Sequence, residues 1–408
     1  MGKTVKKIIF ALFCFAFTML IVYVVLSHGK VSRETHEYEK TLEKLAEAPE
    51  IRSGVLYFNM LDTRCQYVYD VLKQTIKEGK EFTPQIPFVL TEEELHRSAE
   101  ALCSDDPSLY YINVDAFDLQ NHSYTEKKGK TGYLVVVPSI VDDRYTKIHI
   151  PYTVKNDGSS AFFDKTQSRF SAALKKADVI VSDVHDKYLV CRLIHDYLTG
   201  ICSKTEEGGV YANTAYGALV EGEATSLGYA KAFKLLYERY SGTSYIIRGG
   251  DGYWCSALLN DKYYNVDVYS DDLDGMINGE EHRGAQSHLY LCLDDESFYK
   301  DHPEKLSGPT CSDKTNYFIY NGTAPSTPSE LSNAVLRLVE EQRFAKGRYF
   351  EIYCEIEGAE ELIREAVVKT LSENYPDFAN DCEIFRLSEN QPVYLVHLTD
   401  KNESSGGN

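Results

Sequence analysis

The feature that most constrains this chain is an uncharged, mostly apolar run near its N-terminus. Residues 8–26 read IIFALFCFAFTMLIVYVVL and carry no charged side chain. A helix of this length, rising about 1.5 Å per residue, spans a hydrocarbon core of about 30 Å. Three lysines precede the run, so the positive-inside rule places the N-terminus in the cytoplasm. The sequence therefore predicts a single-pass cell-membrane protein whose bulk is extracytoplasmic.

A cleaved signal peptide is the alternative interpretation of this run. The apolar stretch is longer than the usual hydrophobic region of a signal peptide, and the VVLSHGK that closes it offers no small-x-small cleavage site. We therefore expect residues 1–29 to form an uncleaved membrane anchor. The charged, helix-favouring residues 30–50 are then expected to form a stalk beyond the membrane.

The composition excludes one class of partner and leaves the redox state open. The chain carries 62 acidic and 43 basic side chains, a formal net charge of −19, which argues against nucleic acid as a partner. Nine of the ten cysteines lie outside the apolar run, with no C-x-x-C pair and no zinc-type spacing. Disulfides remain open in an oxidising compartment. No metal and no organic cofactor is predicted.

The length of 408 residues exceeds what one ordinary hydrophobic core uses, which predicts several domains. In the first domain, Thr91 followed by Glu94 forms a capping-box pattern, and three β-rich runs follow: PSLYYINVDAF, GYLVVVPSI and YTKIHIPYTV. A linker-like TAPSTP precedes the last domain. The predicted units are an α/β domain at 51–155, a central domain at 168–322, a small α+β domain at 329–400 and a polar tail at 401–408.

Several segments of the central stretch occur in a distinctive order. They are LIHDYL, YANTAYGALVEGEATSLGYAKAFKLLYERY, YWCSALLNDKYYNVDVYSDD, HLYLCLDDESFYKDH and NYFIYNG. In this order they resemble the transglutaminase-like superfamily, and its bacterial membrane-anchored members in particular. The resemblance implies an α+β fold with a transglutaminase-like core, similar to that of papain-type cysteine proteases. The small α/β domains and the N-terminal transmembrane helix would flank this core.

The resemblance also implies where a catalytic triad would lie. The family has a cysteine at the start of the helix before GYAKAF, a histidine two residues before a tryptophan and an aspartate in a Y-Y-x-V-D setting. The matching positions here are Ser226, Gly252 and Asp267. Two of the three family residues are therefore replaced. A shifted alignment does not restore them, because no cysteine lies between residues 202 and 255 and no histidine between 195 and 282.

The chemistry expected of the family depends on the missing pair. A thiol near pKa 8.5 is acidified at a helix N-terminus and beside an imidazole, which the aspartate orients. A serine hydroxyl is a far weaker nucleophile and needs a base, which Gly252 does not provide. We therefore expect Thr225 and Ser226 to cap the helix rather than to catalyse. Asp267 then needs other donors, such as Arg248, tyrosine hydroxyls or backbone N–H groups.

Other residues near the predicted triad positions are candidate substitutes or ligand contacts. Strand alternation places Cys255 on the opposite face from Gly252, so its side chain is expected to point away from the triad positions. His195 is expected to be a satisfied helix histidine, whereas His282 and His288 follow Asp267 closely enough to approach the cleft. The acidic SDDLDG at 270–275 lacks the EF-hand order of ligands and is expected to be a solvated loop. The aromatic residues that would offer a stacking surface, if they are not simply core, are Trp254, Tyr263, Tyr264 and Tyr229.

These observations predict a function in which catalysis has been lost. The favoured hypothesis is a membrane-anchored, extracytoplasmic protein whose inactive transglutaminase-like domain binds a peptide, a protein or a cell-wall component. The first alternative is an active amide-directed transferase, or a serine- or cysteine-type hydrolase, with a rebuilt site. The second alternative is a membrane-tethered structural spacer.

Overall fold

The computed structural model describes residues 43–117, 123–128, 134–139, 146–152, 160–240, 242–342, 348–375 and 378–400, together with Met19, Tyr23 and Lys40. The predicted anchor at 8–26 therefore lies outside the described residues apart from two positions, and so do most of the stalk before residue 43 and the tail at 401–408. Within the part of the chain that is described, no helix is both long enough and apolar enough to cross a bilayer.

The chain divides into two compact units. One comprises residues 1–52, 58–102 and 114–151, and the other comprises 53–57, 103–113 and 152–408. Both contain helices and strands, so the α+β class is confirmed. The predicted first domain at 51–155 is thus interrupted, because residues 103–113 belong to the second unit.

The first unit is built around two helices. The short α1 (Leu56–Asn59) enters it, followed by α2 (Thr63–Lys77) and α3 (Glu92–Asp105). The predicted capping box is present at α3, because the Glu94 N–H donates to Thr91 Oγ1 at 3.1 Å and the Thr91 N–H donates to Glu94 Oε2 at 2.8 Å. Isolated bridges join Phe82 to His149 and Ile86 to Thr146. The antiparallel pair β1 (Ser123–Lys128) and β2 (Leu134–Ser139) completes the described elements.

One predicted strand of this region forms a different structure. PSLYYINVDAF contains turns and a 3₁₀ helix at Val114–Ala116 instead of an extended strand. Its aromatic side chains explain the difference, because they pack into a hydrophobic core and the segment does not pair with a neighbouring strand. Tyr110 is buried in the second unit, where its ring contacts those of Phe170 and Tyr216 at centroid distances of 4.6 and 4.9 Å.

The centre of the second unit is a four-stranded antiparallel sheet covered by helices. Its strands lie in the order β10 (Leu291–Leu293), β7 (Lys262–Val266), β6 (Tyr253–Leu259) and β5 (Ser244–Arg248). The β6–β7 turn uses Asn260 and Asp261 at positive φ. Alternation along β6 turns Cys255, Ala257 and Leu259 toward the helices. The elements are α4 (Ser160–Val181), α5 (Lys187–Ile201), β3 (Ser203–Lys204), a π-helical turn (Gly217–Glu221), β4 (Glu223–Ala224), α6 (Ser226–Tyr240), β5 (Ser244–Arg248), β6 (Tyr253–Leu259) and β7 (Lys262–Val266).

Short elements then lead away from the central sheet. They are α7 (Val268–Asp271), β8 (Met276–Ile277), β9 (Glu280–Glu281), β10 (Leu291–Leu293), α8 (Asp295–Phe298) and α9 (Tyr317–Tyr320). β8 and β9 pair as a small antiparallel hairpin, and β10 pairs with β7 at the edge of the central sheet.

The C-terminal part forms a second sheet with helices on one face. Its elements are α10 (Pro328–Gln342), β11 (Tyr349–Tyr353), α11 (Ala359–Asn374), β12 (Phe378–Arg386) and β13 (Val393–Asp400), with strand order β11-β13-β12. Phe350, Ile352 and Val396 pack against the two helices. The opposite face is also covered, since Leu395 packs on Ile277 and Ala285 from the central part. The predicted small α+β domain is thus joined to the central one within a single unit.

Candidate functional site

Two of the three triad positions are in direct contact at one end of the central sheet. Ser226 is the first residue of α6, and Gly252 immediately precedes β6. A Cβ atom at Gly252 would lie 3.3 Å from Ser226 Oγ. The Tyr253 N–H donates to the same hydroxyl oxygen at 3.3 Å. Any side chain at position 252 would therefore meet the Ser226 hydroxyl, which is where a catalytic base would be needed.

The cap of α6 is Thr225 and not Ser226. The Gly228 N–H points to Thr225 Oγ1 at 3.4 Å, and the Tyr229 N–H donates to the Thr225 carbonyl at 3.0 Å. A glycine is required at position 228, because the Ala212 carbonyl oxygen lies close to the start of α6 and a Cβ at position 228 would lie 2.2 Å from it. The expectation that Ser226 also caps the helix is corrected: its oxygen accepts from the strand, and its hydroxyl remains half-buried at the helix start.

Asp267 lies directly after β7 and has three donors. Its Oδ1 accepts from the Ser270 N–H at 3.0 Å, which caps α7. Its Oδ2 accepts from Ser270 Oγ at 2.7 Å and pairs with His302 Nε2 at 3.0 Å. The predicted donor Arg248 is not among them, because its guanidinium lies over the Tyr253 ring at 5.9 Å. The carboxylate is therefore satisfied by its own capping turn and one imidazole.

His302, which the sequence analysis did not single out, is the imidazole that contacts Asp267. Its ring stacks on Phe298 at 4.0 Å, meets Tyr290 edge-on at 4.5 Å and lies 6.0 Å from the Trp254 ring. Burial alone would lower the pKa of His302, but the hydrogen bond to Asp267 and its charge outweigh burial and raise that pKa. The ring's Nδ1 is buried without a hydrogen bond of good geometry, although the Phe298 carbonyl contributes to raising the pKa.

The arrangement separates the hydroxyl from the imidazole. Within the described residues, the hydrogen bond that reaches Ser226 Oγ comes from a backbone N–H, and none joins it to a histidine. His302 directs Nε2 at Asp267, and its other ring nitrogen is buried beside aromatic rings. A general base must lie within hydrogen-bond reach of the proton that it removes. Among the described residues, no histidine is hydrogen-bonded to Ser226 Oγ in this geometry.

The aromatic residues predicted to contact a ligand do not form a stacking surface. Trp254 and Tyr229 are 1% and 0% exposed. The Trp254 Nε1–H donates to Asn265 Oδ1, and the Tyr229 hydroxyl donates to Asp272 Oδ2, so both polar ends are used in the core. Tyr263 is half-buried against Tyr245, about 13 Å along β7 from Asp267. The prediction of Trp254 and Tyr229 as binding residues is therefore corrected by their burial.

The nine cysteines in the described part of the chain are buried. Cys255 points away from Gly252 as expected, with its Sγ donating to the Ala230 carbonyl at 3.1 Å. Burial raises the pKa of Cys255 to about 12, which makes it a poor nucleophile. Cys191 and Cys292 form the nearest thiol pair described, with their Sγ atoms 3.9 Å apart.

Of the three histidines considered in the sequence analysis, His195 and His288 lie in a buried network of carboxylates. His195 Nδ1 pairs with Asp196 Oδ1 and its Nε2 pairs with Asp271 Oδ2, both at 3.1 Å. His288 stacks on His195 and joins Asp196 to Glu351 of β11. Burial opposes the charged forms, but the carboxylates outweigh it and raise the pKa of both histidines, that of His288 most strongly. The prediction of a satisfied His195 fits this network.

Described residues of the first unit line surface cavities that lie far in sequence from the predicted triad positions. One of about 590 Å³ is lined by Lys80, Phe82 and Lys147 among others, and one of about 260 Å³ is lined by Arg52, Phe58 and Asp70 among others. Neither is lined by Ser226, Gly252 or Asp267.

Comparisons with known proteins leave the family open. No protein-family model and no curated protein matches this chain. Among solved structures, a Parabacteroides distasonis ATCC 8503 protein described as a "putative protease" is 11% identical, with a TM-score of 0.19, over 38% of this chain and 40% of that one. Menin, in a structure described as revealing the binding site for Mixed Lineage Leukemia (MLL) protein, is 15% identical, with a TM-score of 0.22, over 54% of this chain and 53% of that one.

The chain thus spans about half or less of the length of these two proteins. At such TM-scores neither likeness supports a conclusion about fold or function. The resemblance to the transglutaminase-like superfamily stays a prediction from the sequence.

Proposed function

We propose that this chain is a membrane-anchored, extracytoplasmic binding protein. Its transglutaminase-like region, in this proposal, holds an extended peptide segment at the Ser226–Gly252 contact without cleaving it. The observation that carries the proposal is the state of the three triad positions. Ser226 Oγ accepts a backbone N–H and faces a residue without a side chain, while Asp267 is already paired with His302.

The loss of catalysis follows from how such groups act together. General-base assistance accelerates proton transfer by about 10²–10⁴-fold, and members of a triad act as a unit, so a nucleophile without its base loses most of its rate. Ser226 has no base within reach in the described structure, and the thiol that would need less help is absent. Turnover of an amide at this position is therefore not expected.

The same geometry favours binding. Gly252 places a residue without a side chain next to a half-buried hydroxyl, so the backbone at this edge is not covered by a side chain of its own. The first amides of a helix lack intrahelical acceptors, so the start of α6 presents N–H groups that suit a peptide carbonyl oxygen. The turn before β6 is exposed at Gly250 and Asp251, so a peptide has access to this edge of the sheet.

A fluorescence titration tests the binding proposal directly. Trp254 is the single tryptophan of the chain and follows Gly252 by two residues, so its emission reports on this edge. A mixture of glutamine-containing peptides added to the full-length protein should change the emission saturably, and Gly252→Leu should abolish that change. The matched control is Gly250→Leu, whose Cβ would meet only Pro303 at an ordinary 3.6 Å. An equal response from both variants would contradict a site at Gly252.

An activity assay tests the loss of chemistry. The full-length protein and the double variant Ser226→Cys, Gly252→His are compared in peptide hydrolysis and in amine incorporation into glutamine peptides. We expect silence from the natural protein and measurable turnover from the variant. Turnover by the natural protein that Ser226→Ala abolishes would show that the site is active.

A rebuilt hydrolase is the second candidate, and one observation favours it. His302 provides the imidazole that Asp267 would otherwise lack, as a catalytic dyad requires. Such an enzyme would have to swing the ring away from Phe298 toward Ser226. Its signature would be turnover lost in both Ser226→Ala and His302→Gln. The rate should also rise with pH through a midpoint above 6.5, because a general base acts in its neutral form and the Asp267 pair raises the pKa of His302.

A further inference from the structure

A second group of ionisable side chains lies on the C-terminal sheet, away from the triad positions. Glu383 on β12 is directly opposite His397 on β13, and His282, which follows β9, packs over them. One ring nitrogen of each histidine and one carboxylate oxygen of Glu383 lie within 4.8 Å of one another. Three donors from three separate segments of the chain thus converge at one point.

The donor set matches a known metal preference. Two imidazoles and one carboxylate form a ligand set used by catalytic zinc sites, with water completing the tetrahedron. Zinc bonds of about 2.1 Å hold tetrahedral ligand atoms about 3.4 Å apart. The three donors therefore need to close by little more than 1 Å. Rotation of the Glu383 and His397 side chains is sufficient for such a movement, because both reach the surface, with 52% and 18% of their side-chain area exposed.

An unpartnered buried nitrogen is independent evidence for a ligand here. His282 is 7% exposed, and its Nε2 is fully buried without a hydrogen-bond partner. Its Nδ1 lies 3.2 Å from the Tyr349 hydroxyl. When Nδ1 donates to Tyr349, Nε2 carries the free lone pair, which is the tautomer that metal-binding histidines adopt when the other nitrogen is held by a neighbouring group. Leaving this acceptor buried and unused costs free energy that a metal bond would recover.

The other histidine cluster does not share these properties. In the group of His195, Asp196 and His288, every ring nitrogen has a carboxylate partner at 2.5–3.1 Å. Both rings are buried, so an ion would have to displace a satisfied network. The His282 group has a free donor and an exposed side, and it is the better candidate.

We propose that His282, Glu383 and His397 bind one divalent transition-metal ion, Zn²⁺ being the best match, with water at the open position. The ion replaces the hydrogen bond between His397 Nδ1 and Glu383 Oε2, which measures 2.9 Å in the structure. It also links the segment after β9 to the C-terminal sheet. The site is independent of the proposed peptide-binding function, since it shares no residue with it.

Cobalt titration of the full-length, chelator-treated protein tests this site. Tetrahedral Co²⁺ gives strong visible absorption bands, which Zn²⁺ then bleaches by displacement. We expect one equivalent of Co²⁺ to bind, and Glu383→Gln and His397→Ala each to weaken binding at least tenfold. Both changes lie on the exposed side, and circular dichroism checks that the variants remain folded. The control is His185→Ala, an exposed histidine elsewhere in the second unit.

Two results would overturn the proposal. One is the absence of saturable cobalt absorption in the natural protein. The other is binding that survives unchanged in both Glu383→Gln and His397→Ala, which would assign the ion to other residues.

Discussion

Replacing Glu351 with glutamine should weaken the attachment of the C-terminal sheet to the central part of the second unit. Glu351 on β11 accepts from the His288 N–H with Oε1 at 2.9 Å and pairs with His288 Nδ1 through Oε2. Both residues are buried, at 7% exposure each. The substitution keeps the size and one acceptor of the side chain but removes its charge.

The magnitude follows from the type of hydrogen bond that is lost. A hydrogen bond to a charged group contributes about 1.5–3 kcal/mol, against about 0.5–1.5 kcal/mol for a neutral one. Two such exchanges amount to about 2–3 kcal/mol of unfolding free energy. This lies below the 3–5 kcal/mol expected when one member of a buried ion pair is removed altogether, because Asp196 still pairs with His288.

The loss should depend on pH in a defined direction. Burial opposes the charge on His288, but Glu351 and Asp196 outweigh it and raise its folded pKa well above the ordinary 6.5. The stabilisation by a histidine with a raised pKa is fully present below pH 6.5 and fades as pH rises through the folded value. Glu351→Gln should therefore cost most near pH 6 and about half as much once His288 is neutral in both proteins.

Urea unfolding of the full-length protein, followed by circular dichroism at several pH values, measures this difference. Glu365→Gln is the matched control, since it makes the same change on the exposed face of α11 and should have little effect. Equal losses at every pH would mean that His288 is not the charged partner. No loss at any pH would refute the argument that this pair stabilises the fold.

Two further perturbations test the core of the second unit. Tyr229→Phe leaves the buried Asp272 carboxylate without its hydroxyl donor and should cost about 1–3 kcal/mol in urea unfolding. Tyr320→Phe, which removes a surface hydroxyl–carboxylate bond, should cost under about 0.5 kcal/mol, and equal losses would contradict this account. Cys191 and Cys292 are buried, so iodoacetamide should label both only after denaturation. Peptide mass mapping measures this labelling. Rapid labelling of the folded protein would show that the two thiols are accessible.

The features that sequence could predict are those set by local patterns. The capping box at Thr91 and Glu94 and the helix and strand order after residue 328 depend on neighbouring residues, and the structure contains them. Ser226 and Gly252 lie in contact, although local patterns do not encode a contact between a helix start and a distant strand. The resemblance that pairs these positions stays a prediction.

The features that sequence could not predict depend on contacts between distant residues. His302 lies 35 residues after Asp267, and it reaches the carboxylate because α8 and the turn after it fold back over Trp254. No periodicity encodes such a return. The burial of Tyr229 could not be predicted for a related reason. A tyrosine is as common on a ligand-binding surface as in a core, and here its buried hydroxyl bonds to Asp272, which lies 43 residues later in the chain.

The strand order of the C-terminal sheet has a consequence for how the protein is made. β13 is the last described strand along the chain but lies in the middle of its sheet, so β11 and β12 do not pair with each other and both depend on β13. During synthesis β11 and β12 stay unpaired until residues 393–400 have been made. Until then the apolar surface around Leu289 and Phe318, which β13 covers, also stays exposed. Chains emerge at about 5–20 residues per second, and exposed strand edges aggregate in that interval. A nascent chain that lacks β13 therefore leaves the inner edges of β11 and β12 unpaired, a state in which chaperones limit aggregation.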